Sequence, residues 1–173
     1  MPDPRIRKLT VADYERVTAV VDEWWGGRPM RSLLPRLFFE HFNPTSFAVG
    51  EANELQAFLI GFVSQSDQSI AYIHFVGVSP SSRTLGLGRT LYGHFFQVVQ
   101  ALGCNEVRCI TSPVNTGSIE FHRRMGFVLL PGSGEVGGVP VMLDHDGEGQ
   151  HRVQFQKMIE PRGPGASQVT VSR

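Results

Sequence analysis

Residues 76–91 read VGVSPSSRTLGLGRTL. An apolar strand ends, a Ser-Pro-Ser-Ser loop follows, and Arg83 leads into Gly86 and Gly88 at the mouth of a helix. The apolar residues Leu87, Leu91, Phe95, Val98 and Leu102 of that helix recur on one stripe. Glycines let a ligand approach the backbone closely. The free N–H groups of a helix's first turn, at the positive end of its dipole, form an anion site. Arg83 and Arg89 add charge, so a pyrophosphate suits the place. The spacing rules out two phosphate-binding designs. No GxxxxGK[ST] is present, and GxGxxG fails because Leu91 stands third after Gly88.

Upstream, IAYIHFVGVS (70–79) is apolar on nearly both faces, which predicts a central strand. A strand at 5–9 precedes a helix that starts after Thr10, with Asp13 three residues on and Val17, Val20, Val21 and Trp24 at helical spacing. Gly26-Gly27-Arg28-Pro29 ends it. A second helix is predicted through Leu33, Leu34, Leu37, Phe38 and Phe42 to Asn43-Pro44. Residues 46–51 and 55–64 read as a hairpin around Ala52-Asn53-Glu54. Downstream, a strand at 106–111, a helix at 116–125 and a strand from Phe127 complete a crossover-connected α/β half. Residues 139–144 and 152–159 read as a closing hairpin. PRGPGASQVTVSR, from Pro161, has no packing pattern and is expected to be a flexible tail.

A chain of 173 residues with 41% apolar residues suits one domain with its own core. Sixteen basic residues balance sixteen acidic ones, so no global field draws it to nucleic acid or an anionic membrane. Cys104 and Cys109 flank a strand start, where a bridge needs a sharp reversal, so a reduced, cytoplasmic state is expected. The N-terminus has prolines and charges where a signal peptide needs an apolar run, and no stretch reaches membrane-spanning length. HDGEGQH (145–151) holds His, Asp and Glu close together, but two glycines make it a hairpin turn, and no metal is expected.

Arg83-Thr84-Leu85-Gly86-Leu87-Gly88 resembles the R/Q-x-x-G-x-G/A signature of the GNAT superfamily of N-acetyltransferases. Residues 115–127, NTGSIEFHRRMGF, resemble that family's second motif, an Asn opening a helix that ends in F-Y-x-x-x-G-F. The order and spacing of the two motifs agree with the family, and the resemblance covers roughly residues 5–160. It implies an α/β (mixed α+β) domain over residues 1–160, with a central mixed, splayed sheet of about seven strands flanked by about four helices. It further implies acetyl-CoA in the V-shaped gap, with the pyrophosphate on the amides of residues 83–89 and the pantetheine arm along Val76, Gly77 and Val78. A homodimer through the C-terminal strands is the family-level expectation.

The candidate residues follow. Arg83, Thr84, Leu85, Gly86, Leu87, Gly88 and Arg89 belong to the pyrophosphate loop. Asn115 and His122 are seven apart, two helical turns, so both can face the cofactor, and Asn115 is at once an N-cap candidate and a ligand of the pantetheine arm. Tyr72, His74, Val76 and Val78 share one strand face by period two unless a bulge, expected near Gly77, intervenes. His74 is the candidate base, with a buried structural histidine as the alternative. The resemblance puts a tyrosine that protonates the departing thiolate where this chain has His122, which is expected to act as donor or weak acid through one N–H, with a structural role on the helix's inner face as the alternative. Trp24 and Trp25 fall where the family shapes its acceptor pocket, with Tyr72 beside them, and Asp22 and Glu23 are near. The expected reaction is acetyl transfer to a small-molecule or peptide amine. A small, partly aromatic or apolar amine is favoured over an antibiotic-like polyamine or a protein amino group. A cofactor-binding sensor or interaction module that has lost catalysis is the alternative, favoured by the histidine at 122.

Overall fold

The structure, a computed structural model, describes residues 5–50 and 54–160, so the expected C-terminal tail and most of the turn at Ala52-Asn53-Glu54 lie outside the described residues. Among them run β1 (Ile6–Lys8), α1 (Tyr14–Trp24), α2 (Leu37–Glu40), β2 (Phe47–Val49), β3 (Ala57–Val63) and β4 (Ile70–Val78). After these come α3 (Leu87–Ala101), β5 (Glu106–Thr111), α4 (Thr116–Arg124), β6 (Val128–Leu129), β7 (Gly134–Val136), β8 (Val139–Val141) and β9 (Val153–Met158). A seven-stranded sheet has the order β1-β2-β3-β4-β5-β9-β6, and β7 and β8 form a separate ribbon. This is the mixed α+β architecture that the motifs imply.

Helix α1 begins where Thr10 and Asp13 form a capping box around one 3₁₀ turn (Val11–Asp13). Asp13 is buried. Burial alone raises its carboxyl pKa, but hydrogen bonds from Arg7, at 2.7 and 2.9 Å, and from the Thr10 N–H outweigh it and hold the group below its ordinary value. Val17, Val21 and Trp24 pack from α1 onto Phe58, Ile60 and Phe75 on one sheet face. Leu87, Leu91, Phe95 and Val99 pack from α3 onto Leu59, Ala71, Ile73 and Val107 on the other. Leu102, assigned to that stripe by spacing, instead caps α3 and is 60% exposed.

Two expectations are corrected. The continuous second helix is two 3₁₀ turns (Arg31–Leu33 and Asn43–Thr45) flanking the four-residue α2. Pro35 explains the break: its ring disfavours helical backbone at Leu34, which has φ −120° and ψ 62°. The closing hairpin reduces to one bridge, Met142↔Arg152. Gly137 and Gly138, at φ 58° and 79°, make a two-residue turn that pairs β8 with β7 instead. Strand β9 is thus free to insert between β5 and β6, antiparallel to both.

The crossover through α3 lets β4 and β5 lie side by side as the parallel pair of the sheet. They pair only at Ile70↔Glu106, Ala71↔Val107 and Tyr72↔Arg108, and then part. Near the parting point β4 carries a bulge. Ile60 faces Phe75 and Gly61 faces Ile73, which leaves His74 as the extra residue. The expected bulge near Gly77 therefore lies at His74, and Gly77 pairs regularly with Phe58. The alternation of faces is reset. Ile73, Val76 and Val78 pack with the α3 layer, whereas Phe75 packs with the α1 layer and His74 stacks on Phe38. Tyr72 and His74 do not share a face with Val76 and Val78, contrary to simple period two.

A Cβ at Gly77 would meet the Phe58 ring at 2.5 Å and Trp25 at 2.9 Å. Gly77→Ala should therefore destabilise the fold by about 1–3 kcal/mol, as overpacking does. Urea unfolding checks this as a lowered midpoint at unchanged slope.

Candidate active site

Where β4 and β5 part, a cavity passes between the two layers. Its walls include Trp25, Met30 and Leu33 from the α1 side, β4 from Tyr72 to Val78, Cys109 to Ser112 beyond β5's pairing with β4, and Gly88, Tyr92, Ser118, Phe121 and His122 from α3 and α4. An adjoining cavity adds Trp24, Arg83 and Gly117 and shares Val76, Val78 and Asn115. The Ser79 N–H bonds the Gln56 carbonyl on the β3 side. By the period-two alternation of a regular strand, the backbone groups of Val78 and Val76 point the other way, into the gap.

At the gap's α3 end Gly86 takes φ 72°, a left-handed conformation that favours glycine, and opens the helix. The first bond into the helix is Thr90 N–H to Gly86 O. The amides of Leu87, Gly88 and Arg89 therefore have no intrahelical acceptor and form, with the dipole, an anion cradle. Thr84, Leu85 and Arg89 are exposed around it. Arg83 is less free than the spacing suggests. Its guanidinium donates to the Trp24 carbonyl at 2.6 Å and ties the loop to the end of α1. Asn115 caps α4 by accepting from Ser118 N–H at 3.2 Å through Oδ1, which leaves its amide N–H groups for the cavity it lines.

His74 lies on the wall with its Nε2 2.7 Å from the Leu33 carbonyl and its ring stacked on Phe38 at 4.2 Å. A carbonyl only accepts, so Nε2 carries the proton and Nδ1 offers the lone pair. Burial lowers the ring's pKa below its ordinary 6.5, against the opposing pull of the Leu33 hydrogen bond and the Asp146 charge. The carbonyl is available because the Pro35 break denies Leu33 the helical partner at Leu37. The result is a neutral imidazole with a fixed tautomer and a free acceptor, the form a general base needs.

His122, only 6% exposed, is held at both nitrogens. Nδ1–H donates to the Ser118 carbonyl at 2.7 Å, so Nε2 accepts from the Tyr92 hydroxyl at 2.8 Å. Burial lowers its pKa, the Ser118 bond notwithstanding. In this arrangement the one N–H of the neutral ring is spent on Ser118 and its other nitrogen on Tyr92. Burial also raises the phenols of Tyr92 and Tyr72 and the thiol of Cys109 well above their ordinary values. The histidines, tyrosines and cysteine of the gap are neutral, and its charged side chains are Arg28, which donates to the Trp25 carbonyl at 3.1 Å, and an ion pair at one end. There the loop that the sequence presents as a plain turn folds over Tyr72, and Asp146 and Arg152 join the wall as an ion pair of 2.7 Å.

Reading by sequence pattern misses Tyr92, Asp146 and Arg152. A heptad-like stripe counts Leu91 and Phe95 and passes over the tyrosine beside them. The loop's charges carry no motif, and only its contact with β4 makes them part of the site. Trp24 is core, 5.9 Å from the Phe58 ring, whereas Trp25 lies over Phe75 at 4.8 Å and faces both cavities. Asp22 accepts the N–H groups of Met30 and Arg31 at 2.7 and 2.9 Å and so secures the loop between the first two helices. Among the described residues no group of three His, Cys, Asp or Glu is placed to hold a metal ion, and no helix is long and apolar enough to cross a membrane.

The sequence model of the Acetyltransferase (GNAT) family matches residues 5–127. No curated protein matches the chain in sequence. Among solved structures, Ard1 from Thermoplasma volcanium is 18% identical with a TM-score of 0.72, over 90% of this chain and 97% of its own. The ribosomal-protein-S18-alanine N-acetyltransferase from Escherichia coli is 16% identical with a TM-score of 0.65, over 94% and 98%. An aminoglycoside 6'-N-acetyltransferase complexed with coenzyme A is 15% identical with a TM-score of 0.66, over 92% and 99%. At these identities the likeness is one of fold.

Asn115→Ala should cost about 1 kcal/mol through loss of the α4 cap, whereas Asn115→Asp keeps the acceptor and most of that stability. Thermal unfolding of the two variants separates the cap from the amide's part in the cavity.

Proposed function

Because the chain belongs to the acetyltransferase (GNAT) family, which the family match over residues 5–127 establishes, we propose that it transfers the acetyl group of acetyl-CoA to a primary amine by direct attack in a ternary complex. One observation carries this reading: the gap opened by the parting of β4 and β5 has the free amides of Leu87, Gly88 and Arg89 on one wall and the free Nδ1 of His74 on another. The cradle suits a pyrophosphate, the inward-facing backbone of Val76 and Val78 suits the pantetheine amides as an added strand, and Asn115 offers its amide N–H. The solved relative with coenzyme A bound supports this choice of acetyl donor.

His74 takes the amine's proton at Nδ1 while Leu33 holds the opposite nitrogen. The backbone N–H near Val76 to Val78 polarises the thioester carbonyl. Attack is direct, and the buried thiol of Cys109, raised far above its ordinary pKa, is unsuited to carry an acyl group. The acceptor enters past Trp25, Tyr72, Phe75, Met30 and Leu33, which favour a small amine with an aromatic or apolar body, and Asp146 meets its cationic end. Association of two copies through the C-terminal strands belongs to this proposal. A sensor that binds acetyl-CoA without turnover is the second reading, favoured by the absence of a free N–H on His122.

A thiol-release assay over an amine panel, beside acetyl-CoA calorimetry, separates the two: binding without turnover on any amine leaves the sensor. His74→Gln should lower kcat by about 10²–10⁴-fold, the range for loss of a general base, with acetyl-CoA affinity nearly unchanged. The base works only when neutral and its pKa is depressed, so kcat/KM, referred to the neutral form of the amine, should fall as pH drops through a value below 6.5 and stay level above it. Asn115→Asp should weaken acetyl-CoA binding without unfolding α4.

A further inference from the structure

The departing thiolate needs a proton, and neither nitrogen of His122 has one to give. The hydroxyl that shares its hydrogen bond does. We propose that Tyr92, delivered by α3, is the catalytic acid that protonates the CoA sulfur, and that His122 is the positioning residue that aims its hydroxyl. This rests on the transferase reading above.

Three observations meet at this point. Tyr92 and His122 both line the gap beside Val76, Val78, Gly88 and Ser118, the backbone and small side chains that border the proposed pantetheine path. The Tyr92 ring is clamped edge-on by Phe96, Phe121, His122 and Phe127 at 5.1–6.1 Å between centroids, so the only freedom left at its tip is rotation of the O–H. The resting acceptor of that O–H is a neutral imidazole, itself fixed by Ser118 and stacked on Phe155 at 4.6 Å. A neutral acceptor is the weaker one. When charge develops on sulfur, a charge-assisted bond to the thiolate is about twice as strong as the bond to Nε2, and the hydroxyl turns. The titratable groups that face the phenol are His122 from α4 and the Cys109 thiol from β5. Both are neutral, and burial raises the phenol itself, so it stays protonated until it is called on.

The step balances. The amine nitrogen bonds to the carbonyl carbon, and the C–S bond breaks with its electron pair going to sulfur. The amine's proton passes to Nδ1 of His74, and the Tyr92 proton passes to sulfur. After the thiol leaves, His74 releases its proton to water and the Tyr92 phenolate takes one back from water, so an amine and a thioester have become an amide and a thiol.

Tyr92→Phe is the test, on the full chain with its best amine. With acetyl-CoA, turnover should fall by about 10²-fold or more. With an acetyl thioester of a thiophenol, whose thiolate leaves without protonation, the deficit should shrink to a few-fold. Calorimetry should show wild type binding CoA more tightly than desulfo-CoA by about tenfold, with Tyr92→Phe losing that preference while holding desulfo-CoA as wild type does. His122→Phe should give a smaller loss of turnover with the same dependence on leaving group. Equal deficits with both thioesters, or full activity of Tyr92→Phe with acetyl-CoA, overturn the acid role. Wild-type turnover on the same amine reports the transferase reading separately.

Discussion

Everything distinctive in this molecule depends on where two parallel strands stop pairing. β4 and β5 share three residue pairs and then separate, β5 held by β9 on its far side and β4 by β3 on its own. A sheet that paired to its end would bury the backbone of Val76 and Val78 in a ladder, and α3 and α4 would close over it. Instead the inner edge of β4 has no strand beside it, and unpaired backbone in a protein interior is costly unless something hydrogen-bonds to it. The fold thus contains a strand-shaped demand for a ligand rich in amides, with an anion cradle beside it. The bulge at His74 turns an imidazole toward the gap on the face opposite to Val76 and Val78, where the proposed mechanism places its base.

Much of this was legible in the chain, because the signals are local. Gly86 and Gly88 mark the entry to α3, apolar periodicity marks α1 and α3, and Asn115 marks the start of α4. What was not legible is set by contacts remote in sequence. Pro35 sits within an apolar pattern that continues through it and masks the break, although its steric effect on Leu34 is as local as any glycine's. The destination of β9 depends on a Gly137-Gly138 turn that removes β8 from competition. The bulge at His74 leaves no trace in a run of alternating β-formers, so the assignment of Tyr72 and His74 to the face of Val76 failed. Asp146 and Arg152 reach the site only because a loop folds back over β4.

The electrostatics of the gap follow from its dryness. His74 and His122 are held neutral by burial, Tyr72, Tyr92 and Cys109 are kept protonated by it, and the charges are left to Arg28 and the ion pair at the rim. Acyl transfer between a neutral amine and a thioester creates charge on oxygen and sulfur where there was none. A largely apolar surround of fixed dipoles lets each aimed N–H and O–H act at low effective dielectric. The histidine at 122 is thus consistent with chemistry by a different division of labour, in which one residue holds and its neighbour gives.

The contact between His74 and the Leu33 carbonyl has a bearing on how such a site changes over time. The group that orients the imidazole is main chain, so no exchange of side chain at position 33 can delete it. It is created by a proline two residues further on, which belongs to no motif and lines neither cavity. Loss of that proline would let the helix run on and reclaim the carbonyl, and the ring would lose its tether with every residue of the gap still in place. The chemistry of the imidazole is heritable through the shape of a loop, and a comparison of active-site side chains alone would overlook the position that governs it.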